Sequence, residues 1–446
     1  MREKRTIQAS LFDVFSKHEL GRELKAISAW LDGNREMLEW VGADLVRRNL
    51  QPTGRKGLSV ETVLRCALLK QHRQLSYEEL AFYLSDSFSF RAFARLPVHW
   101  TPKKSVLQRT IAAIRAETWE AINHCLMGAA KSAKVENGKM MRLDSTVTEA
   151  PIHAPADSLL LGDGMRVMVR LLRRADALAP GLIWRDHSRR AKRRCQEIAF
   201  GRGADKRKKP YRDLIKITRA TLDSLRAAAC RLGPGLGTGV EAELWQAETR
   251  HYAALIESII AQAERRVLSG EQVAAGDKLV SLFEPHADII VKGRRDVQYG
   301  HKLNLSTGKS GMILDLVIEA GNPADAERFK PMLDRHITLY GRPPRQTAVD
   351  GGYASSDNLA YAKAKGVEDA AFHKKRGLNI EDMVRSRWVY RKLRNFRAGV
   401  EANISCLKRA YGLARCTWKG LDHFKAYVWS SVLAYNLALF ARLKPT

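Results

Sequence analysis

A chain of 446 residues can bury a large core and is long enough for two or three structural units. Its 76 Lys and Arg against 48 Asp and Glu leave a formal charge of +28, far more than solubility requires, which implies a polyanionic partner such as DNA, RNA or an anionic membrane. A membrane is the weakest of these. No signal-peptide apolar core follows the opening residues 1–10, and the longest uncharged apolar stretch, 426–441, is too short to span a bilayer and contains Ser430, Ser431 and Asn436. That stretch reads as a buried helix. The six cysteines form no Cys-x-x-Cys pair, so neither a zinc knuckle nor a disulfide framework is expected, and a reducing cytoplasm fits.

Residues 1–138 read as an all-α unit. Ser59 can cap a helix to about Arg73, Ser76-Tyr77-Glu78-Glu79 is a capping box, and Thr101-Pro102 opens a helix that turns Leu107, Ile111 and Ile114 inward. Within this unit a helix-turn-helix contact to phosphates has Lys56, Arg65, Lys70, His72 and Arg73 available, although cations on the outer face of a core helix would look the same.

From Lys139 to Val147 the period changes to two. Met141, Leu143 and Val147 fall on one face and Arg142, Asp144 and Thr146 on the other, which makes a strand with Asp144 near its end. Residues 148–280 then interrupt the sheet with helices, including 164–178 and 241–267, the latter with an apolar stripe of Leu244, Leu255, Ile259 and Ala263. Between them, 185–212 carries Arg189-Arg190, Lys192-Arg193-Arg194 and Lys206 to Lys209, interleaved with Trp184, Phe200 and Tyr211. The pattern suits a helical insertion that tracks DNA, or a merely solvated surface.

Sheet signals return after Pro285. Strands are expected at 288–291, 299–306 and 312–319, the last two forming a hairpin around Thr307 to Gly311. Next come a helix near 324–335, a strand 346–350 ending in Gly351-Gly352-Tyr353, a helix 356–365, a short strand 370–372, and helices to the end. This is an α/β arrangement on a mixed sheet, in which sites gather at the carboxyl ends of parallel strands.

Asp144 and Asp350 both sit at such ends. If their strands are neighbours, ~4.8 Å apart, the two carboxylates can share divalent cations. A third acid, Glu401, lies on a helix where ~100° per residue brings Arg397, Glu401 and Lys408 to one face. Three such carboxylates could hold two Mg²⁺ ions ~3.5–4 Å apart and support phosphodiester displacement by a water or a 3′-hydroxyl. Taken alone, Glu401 would pair with Arg397 on a solvated helix. Other acids and aromatics have plainer readings: Glu149 and Asp157 belong to the loop leaving the first strand, and Asp315 and Glu319 read as solvent-facing sheet residues. Trp388 and Trp418 are open to stacking on an unpaired base or to core packing, and His301 to polarising a phosphate or capping a strand.

Leu143-Asp144-Ser145-Thr146, Tyr299-Gly300-His301-Lys302, Val349-Asp350-Gly351-Gly352-Tyr353 and the helix of Glu401 together resemble the DDE transposases of bacterial insertion sequences. The family's last motif, Tyr-x2-Arg-x3-Glu-x6-Lys, is matched in spacing by Arg397, Glu401 and Lys408. Arg394 stands where the tyrosine would be, with Tyr390 and Phe396 nearby.

The resemblance implies a ribonuclease H-like α/β catalytic core, a mixed five-stranded sheet flanked by helices, over 139–446. It is preceded by a helical DNA-binding domain, 1–138, and interrupted by the basic helical insertion 148–280. It implies Asp144, Asp350 and Glu401 as catalytic and metal-binding residues, with Mg²⁺ as cofactor and Mn²⁺ able to substitute, and Arg397, Lys408, Lys302 and Arg394 as DNA contacts. The partners would be double-stranded DNA, both transposon ends and target, engaged by a homodimer in the bacterial cytoplasm at the nucleoid. The alternatives are a nuclease of the same fold that does not join ends and a non-catalytic DNA-binding relative.

Overall fold

The computed structural model describes residues 19–46, 57–97, 99–232, 239–292, 296–373 and 377–443. Lys56 and residues 1–10 lie outside these. The chain divides into two compact units, 1–151 with 301–446, and 152–300.

Among the described residues of the first unit, seven helices precede the first strand: α1 (Glu19–Gly33), α2 (Met37–Leu45), α3 (Val60–His72), α4 (Tyr77–Asp86), α5 (Phe88–Phe93), α6 (Lys104–Ile111) and α7 (Ala116–Ser132). Ser59 caps α3 through the Thr62 amide, and Ser76 with Glu79 forms the expected capping box at α4. The surroundings of α3 overturn its reading as a DNA-reading helix. Every residue from Val60 to Gln71 is buried. Arg65 is spent on Glu61, Asp32, Ser28 and the Phe93 carbonyl. Lys70 lies over the rings of Tyr77 and Trp418, and burial lowers its pKa to about 8. His72 meets Glu23, which leaves Arg73 as the exposed cation among the described members of that set. A phosphate cannot reach side chains that the fold has already desolvated and paired.

The reason α3 is enclosed lies at the other end of the chain. Helix α16 (Leu421–Leu443), the uncharged stretch noted above, is buried around almost its whole circumference from Phe424 to Phe440. Its polar residues are satisfied inside. Asn436 bonds the Asn123 side chain and the Ile313 backbone, and Ser431 receives Gln71. One apolar cluster therefore joins the N-terminal helices, the hairpin strands and α16.

The sheet has six strands, β1 (Met140–Glu149), β2 (Asp288–Lys292), β3 (Asp296–Thr307), β4 (Ile313–Ile318), β5 (Gln346–Val349) and β6 (Asp369–Phe372), in the order β2-β3-β1-β5-β6 with β4 also paired to β3. That matches the six strands read from the sequence pattern and is one more than the five implied by the resemblance, because β3 is long enough to pair β2 through 296–300 and β4 through 303–307. Strands β1, β5 and β6 run parallel, the β2–β3 and β3–β4 pairs antiparallel. Helices α12 (Asp325–Tyr340) and α13 (Ser356–Ala364) form the crossovers, followed by α14 (Ile380–Met383) and α15 (Arg387–Ala410).

The numbers α8 to α11 belong to the second unit: α8 (Asp157–Leu178), α9 (Ser188–Phe200), α10 (Ala204–Arg231) and α11 (Val240–Ala263). Their core holds Leu161, Met168, Leu172, Leu214, Trp245 and Ile259. The inward face of α11 holds Trp245, Ile256, Ile259, Ile260 and Ala263, with Leu255 packed on the same core; of the expected stripe, Leu244 is exposed. Of the aromatics in the basic stretch, Tyr211 is buried, Trp184 packs on the core and Phe200 is exposed. Asp157 is buried and bonded to Arg266 and Gln262. Among the described residues, no helix is long and apolar enough to cross a membrane.

Candidate active site

The parallel register Leu143↔Val349 sets the geometry. The next residue on each strand is an aspartate, so Asp144 and Asp350 emerge side by side where β5 ends. Strand β1 itself continues to Glu149, which places Asp144 mid-strand instead of near its end.

Helix α15 brings the third acid, and it is held to β1 by a buried arginine. Arg142 donates to Thr307 Oγ1 (2.6 Å), to the Phe396 carbonyl (2.7 Å) and to Asn403 Oδ1 (2.8 Å), while its guanidinium lies 4.6 Å from the centre of the Phe396 ring. Burial lowers its pKa, with no effect on a group that stays charged. Between those two anchor points is Gly399, where any Cβ would run into the Arg142 guanidinium. Helix and strand thus approach at the one position with no side chain, and Glu401 is carried to the same end of the sheet as the aspartates.

The three carboxylates converge on Arg397. Its Nη2 lies 3.3 Å from Asp144 Oδ2 and 3.3 Å from Asp350 Oδ1, and its Nη1 lies 2.9 Å from Glu401 Oε1. The two aspartate oxygens are therefore no further apart than the sum of their distances to that shared nitrogen. The Arg397 side chain is 14 % exposed and that of Glu401 66 %, so the cluster has a closed floor and an open rim. Lys408 is half-buried two turns along the same helical face, and Arg394 is exposed.

Beneath the aspartates, Tyr353 is fully buried and donates to Asn304 Oδ1 at 2.6 Å. Burial first, then the fields of Asp325, Asp144 and Asp350, push its phenol well above the usual range, so it remains a neutral donor. Lys302, expected to touch DNA, is 6 % exposed. Its ammonium is 2.6 Å from Asp325 Oδ1 and 2.7 Å from the Pro323 carbonyl. Asp325 in turn lies so close to Gly352 that a Cβ there would come within 2.7 Å of its carboxylate. Lys302 and Asp325 thus brace the turn after Asp350. At the end of β6, His373 Nδ1 is 4.0 Å from Asp350 Oδ1.

The remaining candidates lie elsewhere. His301 is buried against Phe424 and bonds the Glu319 carbonyl. Asp315 and Glu319 are buried, not solvent-facing, and pair with Arg335 and with Arg328 and Asn304 respectively. Tyr390, near the missing tyrosine of the motif, is used to bond the Phe372 and His373 carbonyls, and Phe396 backs Arg142. Trp418 is in the core, whereas Trp388 is exposed with Lys392 over its ring. Arg142, Gly399, Tyr353 and Asp325 were not anticipated. A glycine in mid-helix costs about 1 kcal/mol against alanine, and that cost was the available signal for a close approach at Gly399.

Three hard oxygen donors around one enclosed cation are a donor set that suits Mg²⁺ or Mn²⁺. A second cluster of ligand-type atoms, Glu120, His124 and Asp315, is already served by Arg335.

A family model described as a transposase DDE domain matches residues 292–437, and one described as a transposase domain (DUF772) matches residues 12–113. The first span contains Asp350, Arg397, Glu401 and Lys408, and Asp144 falls outside both. No curated protein and no solved structure matches the chain. A transposase DDE domain built on this mixed sheet, preceded by the helical transposase domain, makes the chain a member of the DDE transposases of the insertion-sequence type.

Proposed function

We propose that this transposase binds the terminal inverted repeats of an insertion sequence, cuts DNA strands there and joins them to target DNA, with Asp144, Asp350 and Glu401 as its catalytic metal ligands. The observation that carries this reading is the convergence of those three carboxylates on one cation where β5 ends beside the parallel strand β1. The three acids would hold Mg²⁺, or Mn²⁺ in its place. Bound there, the ions would activate a water or 3′-hydroxyl and stabilise the leaving oxygen.

The protein's own groups do the rest. Arg142 and Gly399 fix the depth at which Glu401 is presented, and Tyr353 with Asn304 fixes the floor. Arg394, Arg397 and Lys408 share the face of α15 that would meet DNA phosphates, while Lys302 acts behind the site through Asp325. The basic run of α9 and α10 would track the duplex. Holding two ends calls for a homodimer, acting on the nucleoid in a bacterial cytoplasm.

Alanine at Asp144, Asp350 or Glu401 should each abolish Mg²⁺-dependent nicking of end-sequence DNA while leaving salt-sensitive DNA binding in place. Parental nicking by any of the three would remove that residue from the site. Nicking without joining by the parent would favour a nuclease of the same fold, and absence of any Mg²⁺-dependent cut would favour a DNA-binding relative.

A further inference from the structure

We infer that Arg397 is the resident counter-ion of the metal-free site: it holds Asp144, Asp350 and Glu401 in convergence until divalent cations displace it, and its release makes DNA binding stronger when metal is present. The inference rests on the assignment of those three acids as metal ligands.

One guanidinium serves three carboxylates, and it does so incompletely. Nη2 is shared between Asp144 and Asp350 at 3.3 Å each, longer than a well-formed charged hydrogen bond, and Nη1 alone makes a short contact, 2.9 Å to Glu401. The third donor, Nε, is buried with no acceptor. A buried donor left unmade costs free energy, so this arrangement is held by charge and not by fit. Three carboxylates share that one guanidinium. An arginine chosen to lock a fold looks different: Arg65 gives Nε to Glu61, Nη1 to Ser28 and the Phe93 carbonyl, and Nη2 to Asp32.

Without a cation between them, adjacent carboxylates repel and would swing apart. Arg397 prevents this, keeping the oxygens aimed at one point. A divalent cation seated among those oxygens would lie against the guanidinium nitrogen, charge on charge. The arginine must then leave. Its long side chain, enclosed one turn before Glu401, can turn outward past the open rim along the α15 face that carries Arg394 and Lys408. There it would meet a phosphate. Arg397 is in this sense a positioning residue for the metal ligands before loading and a DNA contact afterwards, and the two roles exclude each other.

The test uses the full chain without DNA, titrated with Mn²⁺ and followed by the loss of the free-Mn²⁺ EPR signal, alongside thermal unfolding in EDTA and in Mn²⁺. Arg397→Gln should bind Mn²⁺ about tenfold more tightly than the parent, unfold at a lower temperature in EDTA, and gain more from Mn²⁺. With a duplex in Ca²⁺, the parent's dependence of log K on log salt should be steeper than in EDTA by about 0.9, one phosphate contact, and Arg397→Gln should show no such difference. Equal or weaker Mn²⁺ binding by Arg397→Gln overturns the counter-ion role. If that variant does not fold, Arg397→Lys, whose ammonium cannot fork across three carboxylates, should still bind Mn²⁺ more tightly, and parental affinity there overturns the inference as well. Asp350→Asn separates the two levels. Parental Mn²⁺ binding by Asp350→Asn would mean that the acids are not the metal site at all. Lost binding there, with Arg397→Gln unchanged, would sink only the counter-ion.

Discussion

Arg335 and Arg397 each sit in a ring of ligand-type side chains, Arg335 among Asp315, Glu120 and His124, Arg397 among Asp144, Asp350 and Glu401. Arg335 grips Asp315 with two nitrogens, Nε to Oδ2 at 2.5 Å and Nη2 to Oδ1 at 2.8 Å, and reaches Glu120 at 2.6 Å. The Asp315 side chain is 4 % exposed, and although burial alone would raise its pKa, His124 at 3.6 Å and the hydrogen bonds from Arg335 hold it below the ordinary value. This network ties α7 and α12 to β4, elements inside one compact unit. Around Arg397 the contacts are longer, one donor is idle and the rim is open. Nearly the same set of residue types is closed and matched in one place, and open and mismatched in the other. Composition therefore does not distinguish the two rings, whereas the fit of the enclosed cation does.

Exchanging one aspartate in each ring for asparagine is the strongest way to break this contrast. Asp350→Asn should lower Mg²⁺-dependent nicking by at least about 10³-fold, since metal-borne charge stabilisation is worth several kcal/mol and each 1.36 kcal/mol is tenfold, and it should leave thermal stability close to parental. Asp315→Asn should do the reverse. Removing one partner of a buried ion pair costs about 3–5 kcal/mol, here at the lower end because Arg335 keeps Glu120, and the folded fraction should nick at the parental rate. Denaturant titration and single-turnover nicking on both variants decide it. A stable but inactive Asp315→Asn protein would make the Arg335 ring the functional one.

Gly399→Ala probes how the open ring is held open, and helix propensity and packing predict opposite signs. Propensity alone makes alanine about 1 kcal/mol more stable, whereas a methyl group driven into the Arg142 guanidinium costs about 1–3 kcal/mol. Because Arg142 is anchored at three points, the expected result is a net loss of about 1–2 kcal/mol, with nicking lowered roughly tenfold as Glu401 is pushed off its line. A stabilised and fully active variant would show that the close approach does not set the depth of Glu401.

Much of this was legible in the sequence. Period-two and period-3.6 patterns located the described strands and several of the helices within a few residues, and the order of Asp144, Asp350 and Glu401 along strand, strand and helix suggested their meeting. Local pattern could not show which cations are spent. Arg65, Lys70 and Lys302 look on paper like phosphate contacts, and each is consumed by partners far away in sequence, Asp32, Trp418 and Asp325 among them. Asp315 and Glu319 alternate as solvent-facing strand residues should, yet other elements cover them. The helix α3 lost its outer face because α16 lies against it. Pairing at long sequence separation decides burial, and it leaves no periodic trace.

The smallest expected effect concerns Arg394, the exposed counterpart of the enclosed Arg397 three residues on. It stands where the family motif has a tyrosine, and its neighbours Tyr390 and Phe396 are already committed to the β6 end and to Arg142. An exposed cation on this face has no fold to hold, so Arg394→Gln should change stability by less than about 0.5 kcal/mol. If it meets a phosphate, its loss should make the slope of log K against log salt shallower by about 0.9, in EDTA and in Ca²⁺ alike. Arg397→Gln should change that slope only in Ca²⁺. The pair of measurements separates a cation that is always available from one that metal has to release. Identical behaviour of the two variants in EDTA would mean that Arg397 reaches DNA without leaving its acids, and the distinction between the two arginines of α15 would disappear.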